Sequence, residues 1–364
     1  MKIEKSQNKI LNSISRGFKT NPISGFMLFG LVIASIGILP HFGLIEFGTM
    51  GTFAYIVIYT VVALGLNILL GFSGLISLGT AGFVGAGALG TAVFLELGLP
   101  FEVAVLLVLL IAGLFGAVIG LFSLKVEGIY LAIATLFVGE ILRQIYTQVK
   151  IFGGNNKVVR SGEEPGVELL GRFRLTNFLQ DDRSTLFIII TVLMTITMIL
   201  MYNIVKSRTG RALMAMSRSQ HAAQAMGVSI LKYRLTAFIL ATMYATFGGV
   251  MFALYFQNVS TTEWTLELSL IIIGMVVVGG FKSIYGTFLG AFIIHGVPNL
   301  WLNNILGDVS YIFTGVLIII VIIFYPNGFV YIGHDMRKAF YKIKNFDYKK
   351  ANLNKKTKQV SDDE

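Results

Sequence analysis

Long runs of apolar residues, each close to the length of a membrane crossing, alternate along this chain with short polar or glycine-rich breaks. They fall at 23–40, 50–70, 78–97, 101–124, 128–146, 184–205, 235–257, 266–281, 284–302 and 311–326. A helix needs ~20 apolar residues to cross ~30 Å of hydrocarbon while pairing its own backbone groups. The pattern therefore predicts an all-α fold, a polytopic transmembrane helical bundle of about ten spans. The eighth and ninth runs are short, and glycines interrupt the third to fifth. Both features predict discontinuous or re-entrant helices, which survive at membrane depth only where protein or a water-filled cavity covers the irregular backbone.

Basic residues orient the bundle. Segment 206–234 holds Lys206, Arg208, Arg211, Arg218, Lys232 and Arg234 with no Asp or Glu, and is expected to be cytoplasmic. The amino-terminal segment 1–22 carries Lys2, Lys5, Lys9, Arg16 and Lys19 against Glu4. The tail 331–364 is also lysine-rich, from Arg337 and Lys338 to Lys358. Both termini are expected to be cytoplasmic, which an even number of spans allows, leaving 23–330 as the membrane domain. The stretch 147–183 must then be external. Its Lys150, Lys157, Arg160, Arg172, Arg174 and Arg183 are balanced by Glu163, Glu164, Glu168, Asp181 and Asp182, and a loop this long translocates despite such charges. Residues 65–90 and 271–296 share an order of apolar span, glycine-rich turn and glycine-rich span. A parallel duplication produces that likeness, and so do chance pairs of glycine-rich helices.

Composition removes the soluble alternative. The residues are 55% hydrophobic and 13% charged, with mean hydropathy +0.77, leaving too little polar surface to coat a water-soluble domain. A net charge of +10 fits nucleic acid in principle, but the basic residues cluster beside spans, where they face anionic lipid. The chain has no cysteine, which excludes disulfides and thiolate chemistry. A basic stretch precedes the first apolar run and no small-residue cleavage pattern follows it, so it is read as a retained span.

Catalytic chemistry finds no footing. His41, His221, His295 and His334 are far apart without metal-ligand spacing. The sequence GGFKS at 279–283 places Phe281 where a phosphate-cradling loop needs glycine before its lysine. Neither an enzymatic activity nor a cofactor or metal is expected. Ionisable residues are nearly absent within spans, whereas ion-coupled carriers place them there. Glu140, three residues before Arg143, is either a lining residue of a translocation path or half of a local ion pair. Asn67, within the second span, is read first as hydrogen-bonding between helices and second as the other path candidate.

Segment 206–234 is long for a turn between spans. Ser217 to Gly227 reads as a short helix with Ala222, Ala223 and Met226 on one face and Gly227 as a left-handed stop. Such a helix suits docking in a groove of a partner or lying on anionic headgroups, and composition does not separate the two.

Five stretches in order carry a resemblance: GLNILLGFSGLISLG at 65–79, GIYLAIATLFVGEILR at 128–143, GRALMAMSRSQHAAQAMG at 210–227, VVVGGFKSIYGTFLGA at 276–291 and YPNGFV at 325–330. Together they make the chain similar to the M-type permease subunit of branched-chain amino acid ABC importers, a family that extends to sugar and nucleoside permeases. The resemblance implies that 206–234 contains the loop that couples the permease to its ATPase. Arg218, Gln220, Ala222, Ala223 and Gly227 are then the coupling residues, with Ala222 and Ala223 as the family's alanine pair and Gly227 as its glycine. Arg218, Ser219 and Gln220 replace the acidic residues common there, and Lys282 stands where glycine is usual. After Gly153 and Gly154, the external loop shows Asn155, Asn156 and Lys157 in place of a further glycine. The implied partners are two cytoplasmic ATP-binding subunits, a paralogous permease and a periplasmic or lipid-anchored substrate-binding protein, all at a bacterial inner membrane and with no nucleic acid. The implied cargo is branched-chain or other amino acids, with a sugar, nucleoside or amide such as urea as the alternative. A free-standing secondary carrier or channel is the rival of another class, and it needs intramembrane charge that the spans lack.

Overall fold

Each apolar run contains a helix. The computed structural model of the chain describes residues 22–42, 47–122, 126, 128–152, 156–161, 164–165, 168–169, 173–174, 182–303, 307, 310–324 and 328–331. The basic segments at 1–22 and 331–364 lie outside these residues but for their innermost positions, as does the loop departure at Gly153, Gly154 and Asn155.

The helices are α1 (Pro22–Ile36), α2 (Phe47–Asn67), α3 (Thr80–Glu96), α4 (Phe101–Phe122), α5 (Ile129–Gln148), α6 (Asp182–Lys206), α7 (Arg208–Arg218), α8 (Gln220–Ala225), α9 (Ile230–Phe256), α10 (Leu266–Gly279), α11 (Ile284–Ala291) and α12 (Ser310–Phe324). Five stretches are long and apolar enough to cross a membrane: Gly48–Ser73, Phe101–Phe122, Ile129–Gln148, Arg183–Lys206 and Ile230–Phe256. Pro22–Ile36, Thr80–Glu96 and Leu266–Gly279 are shorter apolar helices. Among the described residues, strand is confined to short pieces, β1 (Asn156–Val158), β2 (Arg160–Ser161), β3 (Glu164–Pro165), β4 (Glu168–Leu169), β5 (Phe173–Arg174) and β6 (Asn258–Ser260).

Helix α9 is the axis of the bundle and packs against α2, α3 and α4. Glycine makes this possible. A Cβ on Gly87 would run into the Thr246 carbonyl, and one on Gly249 into the Val84 carbonyl, so α3 and α9 cross backbone to backbone. Apolar side chains gain little by leaving lipid for protein, so close approach of small residues supplies the packing that holds such helices together. Gly79 and Gly139 bring the start of α3 against α5 in the same way. This overturns the expectation that glycines break the third to fifth runs. Those runs are continuous helices, and the glycines are contact points. The irregular backbone lies elsewhere, in π-helical turns at Ile68–Ser73 after α2 and at Phe292–Gly296 and Pro298–Leu302 after α11. The outer helix α4 leaves Leu106, Leu110 and Leu114 exposed at a spacing of four, a stripe suited to hydrocarbon.

The connections sort into two ends. At one, Lys157 forms an ion pair with Glu96 and donates to the Ile151 carbonyl at 2.6 Å. There β1 also pairs antiparallel with β6, Lys157 opposite Val259. The other end gathers α7, α8 and the turn Ile68–Ser73, against which α7 packs. The loops expected outside thus meet one another, and the lysine there is neutralised.

Candidate functional site

The segment between α6 and α9 folds as two helices, not one. Ser207 caps α7 by accepting from the Thr209 N–H at 3.1 Å. Ser219 then adopts φ −161 and ψ 115, breaks the helix, and caps α8 by accepting from the Ala222 N–H at 3.3 Å. The single helix expected from Ser217 to Gly227 is therefore corrected: a serine in extended conformation serves better as an N-cap than as a helix interior residue. Gly227, at φ +81, closes α8 as expected. Its N–H donates to Gln224 O at 2.9 Å and that of Val228 to Ala223 O at 3.0 Å, the paired bonds of a left-handed glycine stop.

The face expected to carry Ala222, Ala223 and Met226 together is split. Ala223 is 5% exposed, while Met226 is 85% exposed and Ala222 is also open. Arg218 is exposed. Gln220 instead turns towards the bundle, where its Oε1 accepts from Arg234 Nη2 at 2.6 Å. Arg234 is 2% exposed, so it belongs to the interior and not to a basic surface. A hydrophobic tip at Met226, an open Ala222 and a rigid glycine stop make up the outward part of this segment.

The two path candidates sit on different helices. Asn67 is fully buried at the end of α2 and binds the turn before α11. Its Oδ1 accepts from the Lys282 N–H at 3.1 Å and its Nδ2 donates to Ser283 O at 3.2 Å. The turn needs this support because Lys282 holds φ +64, a left-handed conformation that side-chained residues rarely adopt. Glu140 lies on α5, partly exposed, and accepts from Arg143 Nε and Gln144 Nε2. Asn67 is thus a clamp between helices, and Glu140 is part of a local polar cluster on an outward helix face.

Sequence reasoning missed a cavity of about 370 Å³ at the opposite end from α7 and α8, lined by Thr52, Tyr55, Tyr59, Glu263, Trp264, Leu268, His295 and Asn299. Its residues come from three distant segments, which hides it in the sequence. The available signal was the spacing of four in Tyr55–Tyr59 and His295–Asn299, which puts each pair on one helix face.

The family described as branched-chain amino acid transport system / permease component matches residues 48–322. The high-affinity branched-chain amino acid transport system permease protein LivM of Escherichia coli (strain K12) is 28% identical over 314 residues, covering 82% of this chain and 72% of that protein. LivM of Salmonella typhimurium is 28% identical over 317 residues, 83% of this chain and 74% of that one. The autoinducer 2 import system permease protein LsrC of Enterobacter sp. (strain 638) is 25% identical over 324 residues, 83% of this chain and 87% of that one. No solved structure matches the chain. With the match running through nearly all of the described helices, the chain belongs to the permease component family of branched-chain amino acid transport systems.

Proposed function

We propose that this chain moves branched-chain or other amino acids across a bacterial inner membrane as one permease of an ABC importer. The family match across 48–322 carries the reading, and the LivM proteins support the choice of cargo. Residues 23–330 form the permease domain, flanked by cytoplasmic basic segments at 1–22 and 331–364. Two ATP-binding subunits supply the energy, a paralogous permease completes the path, and a periplasmic or lipid-anchored protein delivers the solute. Arg218, Ala222 and Gly227, with Met226 beside them, meet the ATPase; Ala223 and Gln220 hold the docking helix in place. The polar cluster of Glu140 faces the second permease and the path between the two, since its carboxylate is costly against lipid.

The assembled importer, reconstituted with its binding protein, decides the cargo: uptake of leucine, isoleucine and valine is expected. Uptake of a sugar, nucleoside or urea in their place favours the second reading, which the likeness to LsrC keeps open. Sidedness is tested in the cysteine-free chain. An impermeant thiol reagent applied to intact cells should label Asn258→Cys and leave Ser219→Cys untouched; the reverse overturns the topology.

A further inference from the structure

A cavity of about 510 Å³ joins the start of α1 at Pro22 and Gly25, the end of α6 at Tyr202 and Lys206, and the turn into α11 at Lys282 and Ser283. Phe72, from the turn Ile68–Ser73, also lines it, which places the cavity at the end that gathers α7 and α8. Lys206 and Lys282 are both exposed, and no acidic residue lines the cavity. Neither lysine has an ion-pair partner among the described residues. The Lys206 Nζ lies 5.8 Å from the centre of the Tyr202 ring, whose quadrupole attracts the ammonium. Phe26 stacks on Tyr285 at 4.7 Å and meets Tyr202 at 5.7 Å, so an aromatic group ties α1 to both charged walls. Lys282 is held at φ +64 by the Asn67 clamp. Glycine would keep that backbone without strain, yet the chain places a lysine there.

Two ammonium groups without a counter-charge, at the end of a membrane-length helix, call for an anion at headgroup depth. Arg183–Lys206 is long and apolar enough to cross a bilayer, so Lys206, its last residue, stands at the interface. The first turn of α11 adds the positive end of a helix dipole. Beside these charges the wall turns apolar, through Phe26, Phe72, Val205 and Ile284. Helix α1 continues that surface with Met27, Leu28 and Leu31, all exposed, as suits a helix against hydrocarbon. We propose that this cavity holds the headgroup of an anionic phospholipid, its phosphate between Lys206 and Lys282 and its acyl chains along the exposed face of α1. Basic pockets between spans recognise such headgroups through charge, with apolar surface for the chains below. A water-soluble phosphate has no use for the apolar wall, and an acidic segment of a partner protein has none for the exposed stripe of α1. This inference rests on the proposed sidedness for the choice of leaflet alone.

The full chain in detergent is titrated with phosphatidylglycerol and, separately, with phosphatidylcholine, and native mass spectrometry reads the dissociation constant of the first lipid bound. Phosphatidylglycerol should bind the wild type more tightly. Lys206→Gln and Lys282→Gly should each weaken it about fivefold and together erase the preference, whereas Lys206→Arg should keep it. Lys282→Gly separates binding from folding, because it removes the charge while relaxing a positive φ. Its thermal midpoint in phosphatidylcholine should be kept or raised as the lipid preference falls. Arg211→Gln with Arg218→Gln removes two charges outside the cavity and should leave the constant near wild type. Equal binding of the two lipids, a preference unchanged in both lysine variants, or one lost equally in the arginine pair overturns the proposal. Displacement of phosphatidylglycerol by an equal concentration of inorganic phosphate overturns it in favour of a free anion. Loss of ATPase co-purification in the lysine variants, with lipid binding intact, overturns it in favour of a partner protein. Detergent offers both ends of the chain to lipid, so this result is independent of sidedness, which thiol labelling decides.

Discussion

Arg234 donates from Nη2 to the side-chain oxygen of Gln220 at 2.6 Å, tying the first turns of the central helix to the short exposed helix before it. Because Arg234 is buried, the bond ties α8 to the axis of the bundle. Replacing Gln220 by Leu removes an acceptor from a buried guanidinium, at a cost of about 1–3 kcal/mol. The thermal midpoint of the purified chain should fall in Gln220→Leu and be kept or raised in Gln220→Glu, which restores an acceptor with charge. An unchanged midpoint in the leucine variant would show that the bond contributes nothing.

Asn67 and Gly71 should behave as a coupled pair. A Cβ on Gly71 would run into the Asn67 side-chain oxygen, so Gly71→Ala acts by displacing the amide from Lys282 and Ser283. Asn67→Ala loses the same two bonds directly, for about 1–3 kcal/mol. The double variant should then cost clearly less than the sum of the singles, by about 0.5 kcal/mol or more in a thermodynamic cycle. Strict additivity in chemical unfolding would separate the two residues.

Much of this architecture was legible before any coordinates. The ten apolar runs all became helices because a bilayer leaves a backbone few alternatives, and Gly227 declared its left-handed turn because few other residues adopt one. What escaped was which partner each residue meets. Glycine in a span reads equally as a break or as a contact, and only the carbonyls facing Gly87 and Gly249 decide for contact. Asn67 read as an interhelical hydrogen-bonding residue, but its partners, Lys282 and Ser283, lie more than two hundred positions away and could not be named. The split of Ala222 from Ala223 depends on α8 starting at Gln220, one residue after a cap that interrupts what looked like a single helix.

Stability should depend on pH through Glu263. Burial raises its carboxyl pKa in the folded chain, so the folded state holds that proton more tightly than the unfolded state does. Stability from this group is therefore fully present below the unfolded carboxylate value and is lost as pH rises through the raised folded value. Glu263→Gln has no proton to lose. It should match the wild type in acid and exceed it in thermal midpoint near neutral pH, without solute present. A gap that stays constant from acid to neutral would assign the effect to packing instead of ionisation.

The segment proposed to couple to the ATPase gives the sharpest contrast, because Ala222 and Ala223 are neighbours in sequence with opposite surroundings. Ala223 is packed inside the chain, so Ala223→Trp overpacks the permease itself, at about 1–3 kcal/mol, and should lower its own thermal midpoint. Ala222→Trp and Met226→Asp alter exposed positions. They should leave that midpoint near wild type while reducing the ATPase recovered by co-purification, along with uptake. Gly227→Val should impair both, since φ +81 is a misfit for a β-branched residue whatever the space around it. If the segment instead lay on anionic headgroups, Arg211→Gln with Arg218→Gln would cause the larger loss of uptake, because charge would hold it there. Full ATPase recovery in Ala222→Trp and Met226→Asp, with loss only in the double arginine variant, would remove this surface as the docking site.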